Sequence, residues 1–96
     1  MANIYKSEKE FEKSVKYYSL ILDMVDPNSD AYADVLYRRG SSYERLGKHK
    51  KSDDDFLNSL IIKPDDPYIL NYLGYSWLER DYKIDEAIEM LNKAYE

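Results

Sequence analysis

The sequence predicts an all-α fold, an α-solenoid of about five helices that pack as antiparallel pairs. The first observation behind this prediction is a repeat. The step from Gly40 to Gly74 is 34 residues, and the step from Tyr43 to Trp77 is the same. The second is helical spacing of apolar residues between short breaks that contain glycine or proline, with no strand pattern. A fixed period of this size indicates stacked units, each of which buries its apolar face against its neighbours.

The composition limits the classes of function that are open to the chain. With 44% hydrophobic residues and eleven tyrosines in 96 residues, a packed core is expected. The net charge of −5 argues against nucleic acid or an anionic membrane as the main partner. The chain has no cysteine, which excludes disulfides and thiolate metal sites. It also has no apolar segment near the roughly 20 residues of a membrane span, and its N-terminus does not resemble a signal segment.

These features predict a soluble protein but leave its compartment open. Cytoplasm is one possibility. The periplasm is the other, if the chain is a piece of an exported parent protein.

The first helix is predicted over about residues 7–25. Ser7 and Glu10 have the spacing of a capping box, and Pro27 marks the end because the residue before a proline avoids the helical region. Apolar side chains recur along one face at steps of four and three, at Phe11, Val15, Tyr18, Leu22 and Val25.

Two helices are predicted in the middle of the chain. The sequence Asn28-Ser29-Asp30 is typical of a turn and an N-cap. A helix from Ala31 to about Leu46 follows, with Gly47 as a left-handed stop. The next helix begins near Lys48–Lys51 and runs to about Ile62. We expect Asp53, Asp54 and Asp55 in its first turns, solvated and favoured by the helix dipole.

The last two helices complete the second copy of the repeat. Asp66 as N-cap and Pro67 at the first helical position predict a helix that runs to about Arg80. A turn over Asp81–Ile84 precedes a final helix, from about Asp85 to the end.

The repeated residues have a packing interpretation. Glycine in the middle of a helix costs about 0.5–1 kcal/mol relative to alanine, so Gly40 and Gly74 predict close approach of a partner helix. Small residues on the second helix of each pair support this, and large residues are expected to fill the space around them. The small residues are Ser52, Ser59, Ala87 and Ala94, and the large ones are Tyr43, Phe56, Trp77 and Leu91.

The repeated motif resembles the tetratricopeptide repeat, W-x2-L-G-x2-Y, then A-x3-F, then P. Its copies here are Leu36-x2-Arg39-Gly40-x2-Tyr43, Ser52-x3-Phe56 and Pro64, and Leu70-x2-Leu73-Gly74-x2-Trp77 and Ala87-x3-Leu91. The chain departs from the motif at Arg39, where leucine is usual. The step from Gly74 to Leu91 is 17 residues against 16 from Gly40 to Phe56, which predicts a longer second turn.

The resemblance implies a single domain over residues 1–96. It comprises the second helix of a partial repeat (7–27), a full repeat (30–64) and a second repeat without a terminal cap (66–96). The sequence from Asn71 to Trp77 and on to Ala87 is similar to repeats in bacterial tetratricopeptide proteins, so we expect a bacterial protein and a fragment of a longer one. The fold implied is a right-handed superhelix.

The family binds a peptide or helix in a concave groove that the first helix of each pair lines. Matched to the family by position within the repeat, the expected groove residues are Asp34, Tyr37, Ser41, Glu44, Tyr68, Asn71, Tyr75 and Leu78. Tyr37, Ser41 and Tyr72 stand where some members have the lysine, asparagine and arginine of a carboxylate clamp, so no such clamp is expected. An acidic, aromatic groove favours a basic or apolar segment. The implied function is a non-catalytic scaffold for protein–protein interaction, without cofactor or metal.

An alternative function is a structural module that self-associates through its uncapped ends. Catalysis is disfavoured because His49 is the only histidine and lies in a lysine-rich turn. The three consecutive aspartates diverge by about 100° per residue on a helix, so they cannot converge on one cation.

Overall fold

The computed structural model describes the backbone of residues 3–96 and the side chains of residues 8–96. In this part of the chain there are five helices and no strands, as predicted. The helices are α1 (Asn3–Leu22), α2 (Asp30–Arg45), α3 (His49–Ile62), α4 (Pro67–Glu79) and α5 (Ile84–Ala94). Each packs against the helices next to it in the chain. None of those described is long and apolar enough to cross a membrane.

The first helix differs most from its prediction. It begins at Asn3, so Ser7 lies inside the helix and is not its N-cap, and residues 3–6 belong to the same helix. The side chain of Ser7 lies outside the described residues. The helix ends at Leu22, before the predicted Val25. Two short turns follow, in which Asp23 N–H donates to the Leu20 carbonyl and Met24 N–H to that of Ile21.

The predicted signals at the other helix ends are confirmed. The Ser29 hydroxyl accepts from Tyr32 N–H, and Gly47 has a φ of +74°. Asp66 Oδ1 accepts from Tyr68 N–H at 2.9 Å and Ile69 N–H at 3.3 Å. These contacts satisfy backbone donors that a helix N-terminus otherwise leaves free.

The extra residue of the second copy lies in the α4–α5 turn, as predicted. That turn takes residues 80–83, whereas the α2–α3 turn takes residues 46–48. Two of its residues have positive φ, Asp81 at 53° and Lys83 at 44°. Left-handed backbone is uncommon for residues with a Cβ, so the insertion is accommodated by local backbone strain and leaves the helices in phase.

Both mid-helix glycines allow the close helix contact that their spacing predicted. A Cβ on Gly40 would lie 3.1 Å from Phe56 Cε1, and one on Gly74 would lie 2.9 Å from Leu91 Cγ. Around these contacts the core joins α3, α4 and α5. Its buried members are Phe56, Ile69, Leu73, Trp77 and Ala87.

The prediction that the three aspartates of α3 are solvated holds for Asp54 and is wrong for Asp53 and Asp55. They lie in the second turn of the helix, since it begins at His49, and two of them are paired across helices. Asp55 is buried and bonded to Arg39 of α2. Asp53 accepts from Arg80 Nη2 of the following helix pair at 2.7 Å. Only Asp54 is solvated. Two of the carboxylates therefore hold helices together.

Candidate functional site

The predicted site face lies along α2 and α4, the first helices of the two complete pairs. Between them, Tyr37 and Tyr72 pack over Phe56. The Tyr37 and Tyr72 rings meet edge to face at 6.0 Å, and Tyr72 lies 5.1 Å from Phe56. Edge-to-face and tilted pairs at these distances are favourable beyond their area. These rings form the floor of a groove, which we call the α2–α4 groove.

Two cavities open along the α2–α4 groove, one on each side of the Tyr37–Tyr72 contact. The large cavity has a volume of ≈ 520 Å³ and is lined by Glu44, Arg45, Asn71, Tyr72, Tyr75, Ser76 and Glu79. The small cavity has a volume of ≈ 230 Å³ and is lined by Asp34, Tyr37, Arg38, Asp66, Tyr68 and Ile69. The predicted face is therefore two cavities with an aromatic contact between them.

Glu44 is held in place within the large cavity. Its Oε1 accepts from the Ser76 hydroxyl at 3.1 Å, and its Oε2 accepts from the Ser52 hydroxyl at 3.3 Å. His49 Nδ1 lies 3.3 Å from the same Oε2. These contacts come from two neighbouring helices, α3 and α4, so the carboxylate has a fixed position at one wall of the cavity.

The other charges of the large cavity leave it acidic. Glu79 is exposed at its rim. Arg45 also lines it, but the Arg45 guanidinium lies 5.8 Å from the centre of the Phe11 ring on α1, in cation–π contact. The Arg45 guanidinium is therefore in contact with α1, and the lining of the cavity carries two carboxylates against this one guanidinium.

The small cavity carries compensated charge. Lys63 Nζ lies 3.1 Å from Asp34 Oδ1 and 3.7 Å from Asp66 Oδ2. The hydrogen bond to Asp34 raises the pKa of Lys63. Burial and the neighbouring Tyr72 raise the pKa of Tyr37, so its hydroxyl stays neutral at physiological pH. At this end of the groove a partner would therefore contact tyrosine side chains and paired charges.

A third cavity of ≈ 270 Å³ extends the groove onto the last helix. Pro67, Tyr68, Asn71, Ala94 and Tyr95 line it. Tyr95 donates its hydroxyl to Asn71 Oδ1 at 3.2 Å. Hydrogen bonding with Tyr75 raises the pKa of Tyr95. The Tyr95 hydroxyl therefore orients the side-chain amide of Asn71, which is one of the predicted groove residues.

Six of the eight predicted site residues line these cavities, and two do not. Ser41 donates its hydroxyl to the Tyr37 carbonyl within α2. Leu78 packs half-buried against the core. Both residues lie on the predicted face of their helix, but their side chains make contacts within the molecule and do not line a cavity.

Sequence reasoning missed several lining residues. Tyr72, Ser76 and Glu79 lie one position from predicted groove residues, so a wider stripe along α4 would have included them. Arg45 and Arg38 likewise lie one position from predicted groove residues on α2. Tyr95 belongs to the second helix of a pair, where the family pattern gave no reason to look.

Residues 33–66 match the family model of the tetratricopeptide repeat. The matched segment begins inside α2, contains all of α3 and ends at the N-cap of α4. Residues 33–66 therefore form a tetratricopeptide repeat, and the all-helical fold of the described residues is consistent with such repeats. Repeats of this kind are generally protein–protein interaction modules.

Proposed function

We propose that the chain is a non-catalytic scaffold that binds a peptide or helix of a partner protein along the α2–α4 groove. The observation that carries this proposal is the large cavity, in which two tyrosines, an asparagine and two glutamates converge from neighbouring repeats. Its ≈ 520 Å³ is in the range of pockets that bind ligands.

The tyrosines are suited to a recognition surface. Tyr75 and Tyr68 are exposed large side chains beside the cavities. Tyrosine supplies contact area at a low entropic cost, since only two side-chain torsions become fixed. Asn71 between them offers both a donor and an acceptor to a peptide backbone.

The charge of the large cavity selects a basic segment. A lysine or arginine side chain there would lie between Glu44 and Glu79, with the rings of Tyr72 and Tyr75 available for cation–π contact. The position of Glu44 is already fixed by Ser52 and Ser76, so little further ordering is needed when a ligand binds. The small cavity, whose charges are paired, suits an apolar residue of the same segment.

The polar contacts of the site do not form a catalytic arrangement. Glu44 lies between Ser52 and His49. A serine–histidine–carboxylate triad needs the imidazole between the hydroxyl and the carboxylate. Ser52 is also fully buried. These three residues are accounted for by packing between helices.

A peptide-display selection on the immobilised chain tests the proposal. We expect selected peptides that combine lysine or arginine with an apolar residue, and binding that weakens as salt is added. In calorimetry, Tyr75→Ala should weaken the best peptide about tenfold, as for a central contact of an interface, and Glu79→Gln at the rim should weaken it less and mainly at low salt. Tyr17→Ala and Glu12→Gln are matched controls on α1, away from the groove.

Two results would overturn the proposal. One is a selection that enriches no peptide. The other is a peptide whose affinity is the same for the Tyr75 and Glu79 variants as for the two controls.

A further inference from the structure

The carboxylate of Glu44 in the large cavity has one acceptor position left for a ligand. An ionised carboxylate offers about four such positions, two on each oxygen. The Ser76 hydroxyl takes one on Oε1 at 3.1 Å, and the Ser52 hydroxyl takes one on Oε2 at 3.3 Å. His49 Nδ1 lies 3.3 Å from Oε2 and covers the other position on that oxygen. The position that remains is on Oε1.

The two serine hydroxyls hold their positions on Glu44 when a ligand enters. Ser52 is fully buried and Ser76 is 3% exposed. A buried hydroxyl that loses its partner carries the full cost of its desolvation. A ligand therefore meets a carboxylate whose Oε2 is already occupied and whose Oε1 can accept one more donor.

The two helices that line the large cavity also end there. Glu44 and Arg45 lie in the last turn of α2. Ser76 and Glu79 lie in the last turn of α4. The C-terminal end of a helix carries partial negative charge. Two helix ends and two carboxylates therefore act against the single guanidinium of Arg45, and the cavity attracts a cation.

The single free position on Glu44 discriminates between the two kinds of cation that a peptide carries. A guanidinium binds a carboxylate best as a planar fork with two parallel N–H bonds, and Glu44 can accept only one of them. An ammonium is compact, and its three donors can bond to separate acceptors. Glu79 could accept a fork, but it is exposed, and an ion pair in solvent contributes little.

We infer that the large cavity selects a primary ammonium group over a guanidinium. The ammonium is that of a lysine side chain or of the free amino terminus of the partner. This selectivity rests on the proposed function, since it specifies which basic group of a bound peptide the cavity takes. One ammonium donor bonds to Glu44 Oε1, and a lysine stem lies along the rings of Tyr72 and Tyr75.

Titration with three small compounds, followed by the backbone amide shifts of Glu44 and Ser76 in NMR, tests the selectivity. The compounds are Nα-acetyl-lysine methylamide, glycine methylamide and Nα-acetyl-arginine methylamide, at equal ionic strength and at pH 7, where both amines are mostly protonated. We expect at least one of the two amines to bind about fivefold more tightly than the arginine compound, the value of about one hydrogen bond. The tighter of the two amines identifies the source of the ammonium.

Two variants test the role of Glu44. Glu44→Gln removes the charge and should lower the affinity for the amines to that for the arginine compound. Ser76→Ala leaves a second position on Oε1 free, so the arginine compound should gain affinity relative to the amines. Glu12→Gln on α1 is the matched control, and circular dichroism checks that all three variants fold.

Three results would overturn the selectivity. They are an arginine compound that binds as tightly as both amines, a preference that Glu44→Gln retains, and amide shifts that none of the three compounds changes.

The peptide selection distinguishes this result from a failure of the proposed function. Peptides enriched through arginine would overturn the ammonium selectivity and leave peptide binding in place. Amines that bind as expected, together with a selection that enriches no peptide, would overturn the proposed function and retain the ammonium site.

Discussion

Arg39 of α2 binds both carboxylate oxygens of Asp55 on α3, from Nε at 2.8 Å and from Nη2 at 2.7 Å. The remaining Nη1 donates to the Ser19 hydroxyl of α1 at 3.1 Å. One side chain therefore connects three consecutive helices. Asp55 is only 4% exposed, and burial raises its pKa despite the opposing hydrogen bond from Arg39. The arginine that departs from the repeat motif compensates a buried charge.

Arg39→Leu, which restores the usual residue of the motif, should destabilise this chain. It leaves Asp55 buried without its partner, and we expect a loss of about 2–4 kcal/mol in the free energy of unfolding. The double variant R39L/D55L removes both charges and should recover to within about 1 kcal/mol of the original. Urea denaturation measures both. Arg38→Leu at an exposed position is the control, and equal losses for Arg38 and Arg39 would contradict the role of the pair.

Gly74→Ala should destabilise the α4–α5 contact although alanine is the better helix former. The added Cβ would lie 2.9 Å from Leu91 Cγ and 3.1 Å from the Ala87 carbonyl oxygen, a backbone atom that cannot rotate away. Overpacking of this kind costs about 1–3 kcal/mol. Thermal unfolding of Gly74→Ala measures the loss.

The combination with Leu91→Ala provides the check on that mechanism. The double variant should lose less than the sum of the two single losses, because the small side chain at residue 91 makes room for the methyl group. Strict additivity would contradict the close approach.

Asp66→Ala should weaken the start of α4. The carboxylate caps two backbone N–H groups there, and losing such a cap costs about 1 kcal/mol. Asp65→Ala is a matched control, since Asp65 is exposed and makes only a surface ion pair with Lys93. Chemical denaturation of the two variants should separate them, and an equal effect would show that the cap is not what stabilises this helix.

The stability of the chain should fall at high pH through Tyr37. Burial raises the pKa of Tyr37 in the folded state, so the unfolded chain loses this proton first. The contribution is fully present below the ordinary tyrosine pKa of about 10 and is lost as pH rises through the folded value. Comparing unfolding of the original chain and Tyr37→Phe isolates it.

The difference in free energy of unfolding between the original chain and Tyr37→Phe should be constant up to about pH 9 and decrease above pH 10. Absorbance titration of the phenolate should show one fewer late-ionising tyrosine in the variant. A difference that does not change with pH would contradict the assignment.

Local signals in the sequence determined the helices, their order and their phase. Several features could be predicted because each affects only the backbone within a few residues. They are the caps at Ser29 and Asp66, the stop at Gly47 and the extra residue before α5. The first helix was predicted less well, since its apolar spacing continues to Val25 while the turn begins after Leu22. The close helix contact at Gly40 and Gly74 could also be predicted, because a glycine in the middle of a helix recurs at the repeat period.

Only the tertiary structure decided which polar side chains are partners. Arg39 and Asp55 are 16 residues apart, and Glu44 and Ser76 are 32 apart. No periodic pattern records such pairs, so Asp53 and Asp55 were expected in solvent. The same reason explains why the groove proved to be two cavities with Tyr37 and Tyr72 between them. The repeat period fixes which face a side chain occupies, while the distances across helices decide whether that side chain is available to a partner or is already bound within the molecule.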